Sequence, residues 1–275
     1  MFLFNIEQSS LRAMLNSLLL TFTLSFTFIF CSSAKGIPSN PKYSAEPLRI
    51  AVSSNFTPVL KKLLTEFHQK TNISTQIVSG ATGAIFIQIQ HGAPFDIFIA
   101  ADNVRPTQLE QQGLILPGSR QTYALGQLAL FSKFSKLQLD DLNNLPHEKD
   151  QRLAIANPET APYGKAAKQA LEHLGVWHHY ESKLIMGINI NQTFTQVRSK
   201  AVNSGLVANS QLVLNQLEGA VVPSAFHQPI TQQLAIIKKS NKVEEAKRLS
   251  EYLLSPNIQK KIVSYGYARL KDGND

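Results

Sequence analysis

The chain has 275 residues, with 27 Lys and Arg against 19 Asp and Glu, which gives a formal net charge of +8. The basic residues are scattered and form no basic run interleaved with aromatics, so the composition argues against a nucleic-acid partner. A positive field of this size attracts anions at long range. The single cysteine, Cys31, excludes a scaffold built on internal disulfides.

An N-terminal signal peptide is predicted over residues 1–34. Residues 13–34 carry no charge, and Leu15–Phe30 consists mostly of Leu, Phe, Ile and Thr. Arg12 precedes this apolar run, and Ser32–Ala34 supplies the small residues that a signal peptidase needs. We therefore expect export to the periplasm.

Two other interpretations of this segment stay open. A transmembrane anchor is one, although the strongly apolar part is shorter than the roughly 20 residues of a span. A lipoprotein cut before Cys31 is the other, although bulky Phe30 stands where a small residue is needed. Cleavage near Lys35 leaves about 240 residues, enough for one large domain or two small ones. Residues 35–46 are polar and read as a flexible leader.

Short apolar runs alternate with helical patterns from residue 48 onward. Strands are predicted at Leu48–Val52, up to Ile77–Val78, and at Asp96–Ala101, Leu128–Phe131, Leu153–Ala156, Gly205–Ala208 and Gln232–Ile237. Helices are predicted at Val59–Phe67, Ala84–Gln90, Gly164–Leu174, Thr193–Ala201, Glu244–Leu254 and Asn257–Tyr265. This alternation predicts an α/β fold with mainly parallel sheets.

One of these helices is ambiguous. In Ala84–Gln90 the isoleucines recur at every second position, which also fits a strand. We interpret the segment as a helix because Thr82 can cap its start and Gly92 can end it.

Two predicted strand-to-helix turns carry the most information about function. Ala51–Phe56 and Ser79–Gly83 are built of small residues with hydroxyl or amide side chains. Such turns offer free N–H groups and short donors at the positive end of a helix, which favours an oxyanion. Neither turn contains a charged residue, His or Cys, so the pattern indicates binding of an anion rather than chemistry on it. Plain helix caps without a ligand remain the alternative.

At this point the sequence resembles the periplasmic molybdate-binding proteins of ABC transporters, a type II periplasmic-binding-protein family. The resemblance runs from about Leu48 to Tyr267. It rests on these motifs: Gly80–Gly83 (GATG), Gly92–Asp96 (GAPFD), Ala100–Asp102 (AAD), Ala156–Gly164 (ANPETAPYG), Asn191–Phe194 (NQTF) and Gly205–Gln211 (GLVANSQ).

The resemblance implies a fold of two α/β lobes with the ligand in the cleft between them and a two-stranded hinge. Lobe I would comprise residues 47–124 plus 236–275, and lobe II residues 125–235. The hinge would lie near Ala124–Gly126 and Leu234–Ile236.

By the same resemblance, the anion contacts would be Ser54, Asn55, Thr82 and the backbone N–H groups of Tyr163 and Ile190. Where some members have a tyrosine that donates to the anion, this sequence has Ala208. The hydroxyl of that tyrosine would be replaced here by the Asn55 amide or by Ser54.

The implied function is capture of molybdate, and also tungstate, for delivery to an inner-membrane permease by a monomeric protein. Molybdenum would be held through its oxo groups, with no cofactor and no direct protein ligand to the metal. A tetrahedral dianion without a proton needs donors only, whereas protonated phosphate would want an acceptor that these turns lack. Another oxyanion, such as sulfate or phosphate, or a small organic acid remains the alternative ligand.

Several residues suggest other chemistry. Asp102 at a strand end has no paired carboxylate or histidine nearby in the sequence, so a capping or hinge hydrogen bond is expected. The adjacent His178 and His179 do not face one another on a helix, and no further ligand follows at metal spacing. An exported α/β hydrolase is the other class considered, but no Gly-x-Ser-x-Gly or Cys/His arrangement is present. We therefore expect no enzyme activity.

Overall fold

The computed structural model describes residues 46–144 and 152–270, which fall within one compact unit. The predicted signal peptide lies outside these residues, as does the leader up to residue 45. In the part of the chain described, the strands form two five-stranded sheets. No helix in these ranges is both long and apolar enough to cross a bilayer.

The first sheet has the strand order β2-β1-β3-β10-β4. Its strands are β1 (Leu48–Ser53), β2 (Thr75–Gly80), β3 (Ile97–Ile99), β4 (Gln121–Gly126) and β10 (Ile230–Ile236). The second sheet has the order β7-β6-β8-β5-β9. Its strands are β5 (Leu128–Ser132), β6 (Leu153–Ala156), β7 (Leu184–Gly187), β8 (Ser204–Ala208) and β9 (Ala220–Val221).

Helices cover both faces of each sheet. Up to residue 144 the helices are α1 (Thr57–Thr71), α2 (Thr82–Gln90), α3 (Val104–Gln111) and α4 (Asp141–Asn144). From residue 162 onward they are α5 (Pro162–His173), α6 (Trp177–Tyr180), α7 (Ile190–Arg198), α8 (Asn209–Leu214), α9 (Val243–Leu254) and α10 (Pro256–Ser264). Short 3₁₀ turns stand at Glu181–Lys183 and Ser224–Phe226.

The two-sheet α/β architecture is confirmed, but the prediction of mainly parallel sheets is wrong. In the first sheet β1 runs parallel to β2 and β3, whereas β10 runs antiparallel to β3 and β4. The second sheet repeats this mixture, with β6 parallel to β7 and β8 and with β5 antiparallel to β8 and β9. The antiparallel strands are those that connect the sheets or lie beside the connections, so their direction depends on the chain path.

Alternating residues of the strands build a core on each face of each sheet. In the first sheet Ile50 and Val52 contribute to one core, whereas Ala51 contributes to the core on the opposite face. In the second sheet Leu128 and Leu130 stand on one face and Ala129 on the other. This period of two is what a strand covered by helices on both sides requires.

The chain passes between the sheets twice. Gln127 joins β4 to β5, and residues 222–229 join β9 to β10. The first connection directly follows the predicted hinge segment Ala124–Gly126. The second predicted segment, Leu234–Ile236, pairs with β3 in the first sheet, and both hinge positions stay predictions. All of β10 belongs to that sheet, including the part assigned to lobe II, although the division into lobes is otherwise still a prediction.

A C-terminal segment adds a further link beside the connections. After α10 the chain returns to β4, where the N–H of Ala268 donates to the carbonyl of Leu125 at 2.9 Å. The carbonyl of Gly266 accepts from Asn209 Nδ2 at 3.4 Å, at the start of α8, which follows β8 of the second sheet. The segment therefore contacts elements of both sheets.

Candidate anion-binding site

The first turn of the site follows β1 and leads into α1. The N–H of Ser54 donates to the carbonyl of Gly80 at 2.9 Å, so the end of β1 stays tied to the end of β2. Thr57 Oγ1 lies 2.7 Å from Ser79 Oγ, which joins the same two turns through side chains. Ser54 and Asn55 are both buried. The expected convergence of the two turns is therefore present.

The second turn places the Thr82 hydroxyl within hydrogen-bond distance of the Ala101 N–H and the Ser53 hydroxyl. Thr82 is the first residue of α2 and Ala81 is its cap residue, so the prediction that Thr82 caps this helix is wrong. Its Oγ1 accepts from the N–H of Ala101 at 3.3 Å and lies 2.6 Å from Ser53 Oγ. When Ser53 donates in that contact, Thr82 keeps its own proton for a ligand.

The third turn leads into α5 and presents the N–H of Tyr163. Pro162 occupies the first helical position and has no N–H, so Tyr163 supplies the first donor of the helix. A Cβ at Gly164 would clash with the carbonyl oxygen of Ala156, so glycine lets the start of α5 lie against the end of β6. Tyr163 is almost wholly buried.

The fourth turn leads into α7 and presents the N–H of Ile190. Asn189 Oδ1 caps this helix by accepting from the N–H groups of Asn191 at 3.0 Å and Gln192 at 3.1 Å. The cap leaves the N–H of Ile190, the first helical residue, available. Buried Gln211 supports this turn, with Nε2 donating to the carbonyl of Ile190 at 3.2 Å.

These turns enclose one small cavity. Its walls come from both sheets: Ser53, Ser54, Asn55, Gly80, Ala81, Thr82, Ala101, Ala161, Pro162, Tyr163 and Ile190. The cavity volume is about 10 Å³, roughly the space that one water molecule needs. All five predicted contact residues lie in this wall, so the structure brings them together. Their contact with an anion is still a prediction.

The cavity offers donors without formal charge. Among the described residues, the N–H groups of Tyr163 and Ile190 have no protein acceptor, although both residues are 2% exposed. The first N–H groups of a helix have no acceptor within the helix, and both residues line the cavity, so these two N–H groups are available to a ligand that accepts hydrogen bonds. The starts of α2, α5 and α7 add partial positive charge at the same place.

An ion pair follows Ala101, a residue of the cavity wall, in the chain. Asp102 Oδ1 accepts from the N–H of Arg105 at 3.0 Å, and its Oδ2 accepts from the Arg105 guanidinium. This confirms the expected capping role of Asp102, at the start of α3. Arg105 Nη2 also donates to the carbonyl of Glu159 at 2.9 Å, and the N–H of Gly83 donates to the carbonyl of Thr160 at 2.9 Å. These two bonds join the half of the molecule built on the first sheet to the half built on the second sheet.

A buried polar network behind the cavity was not identified from the sequence. Asn55 Nδ2 donates to Gln232 Oε1 at 3.0 Å and to the hydroxyl of Tyr267 at 3.3 Å. The Tyr123 hydroxyl donates to Gln232 Oε1 at 2.8 Å, and Gln232 Nε2 donates to the Tyr163 hydroxyl at 3.2 Å. Because both hydrogens of the Asn55 amide are engaged here, Ser54 is the better replacement for the tyrosine hydroxyl missing at Ala208.

Burial keeps this network neutral. It raises the pKa of the Tyr123 and Tyr163 hydroxyls well above the usual range, and it also raises that of Tyr267. The phenols therefore remain protonated at physiological pH and act as neutral donors and acceptors.

No metal centre stands out in the described ranges, which contain no group of three or more His, Cys, Asp or Glu residues arranged to hold an ion. Exposed His178 has its Nδ1 3.7 Å from a carboxylate oxygen of Glu181. His178 and His179 are both exposed.

The fold and the cavity define a class of protein that captures small solutes outside the cell. Residues 48–268 match the family described as bacterial extracellular solute-binding protein, and the chain belongs to that family. It is similar to the molybdate-binding protein ModA of Azotobacter vinelandii, with 37% identity over 227 residues, covering 81% of this chain and 90% of the relative. It is also similar to the ModA protein of Rhodobacter capsulatus, with 34% identity over 218 residues, covering 79% and 86% respectively.

A solved structure gives the same relationship. The periplasmic molybdate-binding protein of Azotobacter vinelandii matches with a TM-score of 0.76 at 30% identity, covering 82% of this chain and 100% of the other. The family resemblance stated from the motifs is thereby confirmed.

Proposed function

We propose that this chain is an exported solute-binding protein that captures molybdate, and also tungstate, and delivers the anion to the permease of an ABC transporter. The names of its relatives support the ligand class. The observation that carries the proposal is the cavity itself, where the buried N–H groups of Tyr163 and Ile190 and the hydroxyls of Ser54 and Thr82 converge without a charged residue.

The donor set suits a tetrahedral dianion that carries no proton. Such an ion accepts hydrogen bonds and offers none, so a wall of donors satisfies it fully. Each hydrogen bond to a charged partner contributes on the order of 1.5–3 kcal/mol, so the four donors together contribute about 6–12 kcal/mol before the cost of association. Protonated phosphate would need an acceptor, and the carboxylate nearest this wall, Asp102, is already engaged with Arg105.

The position of the donors also supports a closing mechanism. Ser54 and Thr82 follow strands of the first sheet, whereas Tyr163 and Ile190 follow strands of the second. An anion held from both sides favours the arrangement in which the halves approach, so binding shifts an open–closed equilibrium by its differential affinity. We infer that the closed, loaded form is what the permease recognises and that the protein has no catalytic role.

The deciding experiment is a binding panel on the purified mature protein, with molybdate, tungstate, sulfate and phosphate at equal concentrations. We expect molybdate and tungstate to bind with one anion per chain and to raise the melting temperature. At free ligand ~100 times the Kd, linkage adds about 2.7 kcal/mol to the free energy of unfolding. Equal or larger shifts with sulfate or phosphate would contradict the proposed specificity.

Export, closure and transport have their own measurements. Intact mass of the exported protein is expected to start near Lys35, and a membrane-bound product that retains residues 1–34 would contradict export. Small-angle scattering is expected to show a smaller radius of gyration with molybdate. A deletion strain without a second molybdate binder is expected to lose uptake at trace molybdate, and normal uptake would remove the transport role.

A further inference from the structure

Gln232 occupies an unusual position on the connecting strand β10. Its side chain has no exposed surface, and its two polar atoms serve different parts of the molecule. Oε1 accepts from Asn55 at 3.0 Å and from Tyr123 at 2.8 Å, and Nε2 donates to the Tyr163 hydroxyl at 3.2 Å. One amide therefore contacts three buried polar side chains.

The bond from Gln232 to Tyr163 joins the two halves. Gln232 lies on a strand of the first sheet, and its partner Tyr123 belongs to a core of that sheet. The ring of Tyr163 packs in the main core of the second sheet. Tyr163 thus has its hydroxyl bonded to the first half, and the same residue lines the anion cavity.

Gly126 makes this contact possible. It lies at the end of β4, opposite Ile230 of β10, where the chain leaves the first sheet. A Cβ on Gly126 would stand 2.5 Å from the Tyr163 hydroxyl and 2.8 Å from Gln232 Nε2. The lack of a side chain at this connection therefore leaves room for the Tyr163–Gln232 bond.

These observations indicate a role for Gln232 that does not involve contact with the anion. We propose that Gln232 is a positioning residue that couples the anion site to the approach of the two sheets, by holding Asn55 and Tyr163 in the closed arrangement. Because Gln232 bonds the side chains of Asn55 and Tyr163 but is not part of the cavity wall, it acts without touching the ligand. The inference rests on the proposed function for the identity of the anion, but not for the coupling itself.

Two variants remove the coupling bond while keeping the donors. Tyr163→Phe removes the hydroxyl and keeps the ring and the backbone N–H. Gln232→Met removes the amide and keeps the length of the side chain. Each has a matched control: Tyr180→Phe removes a buried hydroxyl that donates to the carbonyl of Leu142 at 3.1 Å, elsewhere in the second half. Gln233→Met changes the next residue of β10, whose amide bonds Thr122 Oγ1 at 3.1 Å.

The first measurement is the Kd for molybdate by titration calorimetry. We expect Tyr163→Phe, which breaks one hydrogen bond of Gln232, to weaken binding about three- to tenfold. Gln232→Met breaks that bond and also the bonds to Asn55 and Tyr123, so we expect it to weaken binding at least as much. The double variant is expected to bind no more weakly than the weaker single variant, because both changes break the same bond. The two controls are expected to keep the wild-type Kd.

The second measurement needs no anion. The N–H of Gly83, which donates to Thr160 across the cleft, reports the closed arrangement through its hydrogen exchange in the empty protein. We expect faster exchange at Gly83 in both test variants and unchanged exchange in both controls. If the wild type binds no molybdate, the proposed function fails while this exchange still decides the inference.

One combination of results would overturn the inference. If both test variants lower only the melting temperature, as the controls do, and leave molybdate affinity and Gly83 exchange at wild-type values, Gln232 is a packing residue and the inference is overturned.

Discussion

The hydroxyl oxygens of Ser53 and Thr82, 29 residues apart in the sequence, lie 2.6 Å from one another. Ser53 ends β1, and Thr82 begins α2 after the neighbouring strand. Both side chains are buried in the wall of the cavity. The contact fixes the first two turns of the site relative to each other and orients the Thr82 hydroxyl, which also accepts from the N–H of Ala101.

Replacing Thr82 by Val is expected to weaken molybdate binding by roughly 1–3 kcal/mol, because one anion oxygen loses a donor in a desolvated cavity. The empty protein is also expected to lose some stability, since Ser53 and Ala101 lose a partner. Thr82→Ser keeps the hydroxyl and serves as the control. Titration calorimetry checks the prediction, and an unchanged affinity of Thr82→Val would reduce Thr82 to a packing residue.

Ile190→Pro tests a backbone donor directly. Proline is favoured at the first position of a helix, and Asn189 before it has the extended φ of −156° and ψ of 172° that a following proline requires. The substitution therefore removes the N–H with little disturbance of α7. We expect molybdate binding to weaken by roughly 1–3 kcal/mol. Ile190→Val retains the N–H and is expected to bind nearly as the wild type, so equal affinities of all three would contradict a role for this N–H group.

Asn55→Leu is expected to act mainly on stability. The side-chain amide donates to Gln232 and Tyr267, and its loss leaves buried acceptors with fewer donors. We expect the free energy of unfolding of the empty protein to fall by about 1–3 kcal/mol in urea titrations. Exposed Asn103 gives a control, since Asn103→Leu breaks no side-chain bond to the helix it precedes. A wild-type unfolding curve for Asn55→Leu would contradict the network.

Acid is expected to weaken the link between α1 and α10. Hydrogen bonds from Lys261 and Lys70 lower the pKa of Glu66 from 4.5 to about 2. A carboxyl group with a lowered pKa stabilises the fold fully above its unfolded pKa and loses that contribution as pH falls through its folded pKa. The difference in unfolding free energy between the wild type and Glu66→Gln should therefore shrink as pH falls from 4.5 to about 2.

Because these groups are exposed, added salt should reduce the same difference at neutral pH. Urea unfolding followed by circular dichroism at several pH values measures it. A difference that stays constant down to pH of about 2 would contradict the assigned pKa.

The parts of the site that depend on neighbouring residues could be predicted from the sequence. The turns at Ser54 and Thr82 follow apolar strands directly, and small polar residues at a strand end are visible in any short window. The helices α5 and α7 were also predicted, but their starts were placed at Gly164 and Thr193, two and three residues after the observed starts at Pro162 and Ile190. Local patterns of this kind place the start of a helix to within a few residues, and the starts of helices carry the donors here.

The parts that depend on distant residues could not be predicted. Gln232 meets Tyr123 and Asn55 across 109 and 177 residues, and nothing near Gln232 in the sequence marks it as buried and polar. The strand β7 was missed because Leu184–Gly187 is only four residues long and follows a charged turn. The direction of β10 was also not readable, since it depends on how the chain returns from the second sheet.

The position of Tyr267 has a consequence for biosynthesis. Its hydroxyl contacts Asn55 across 212 residues, so the first turn of the site acquires this support only after synthesis has passed residue 267. Contacts this far apart in sequence form late, because the intervening chain must first be brought together. The proposed anion site is therefore incomplete in any nascent polypeptide that still lacks Tyr267.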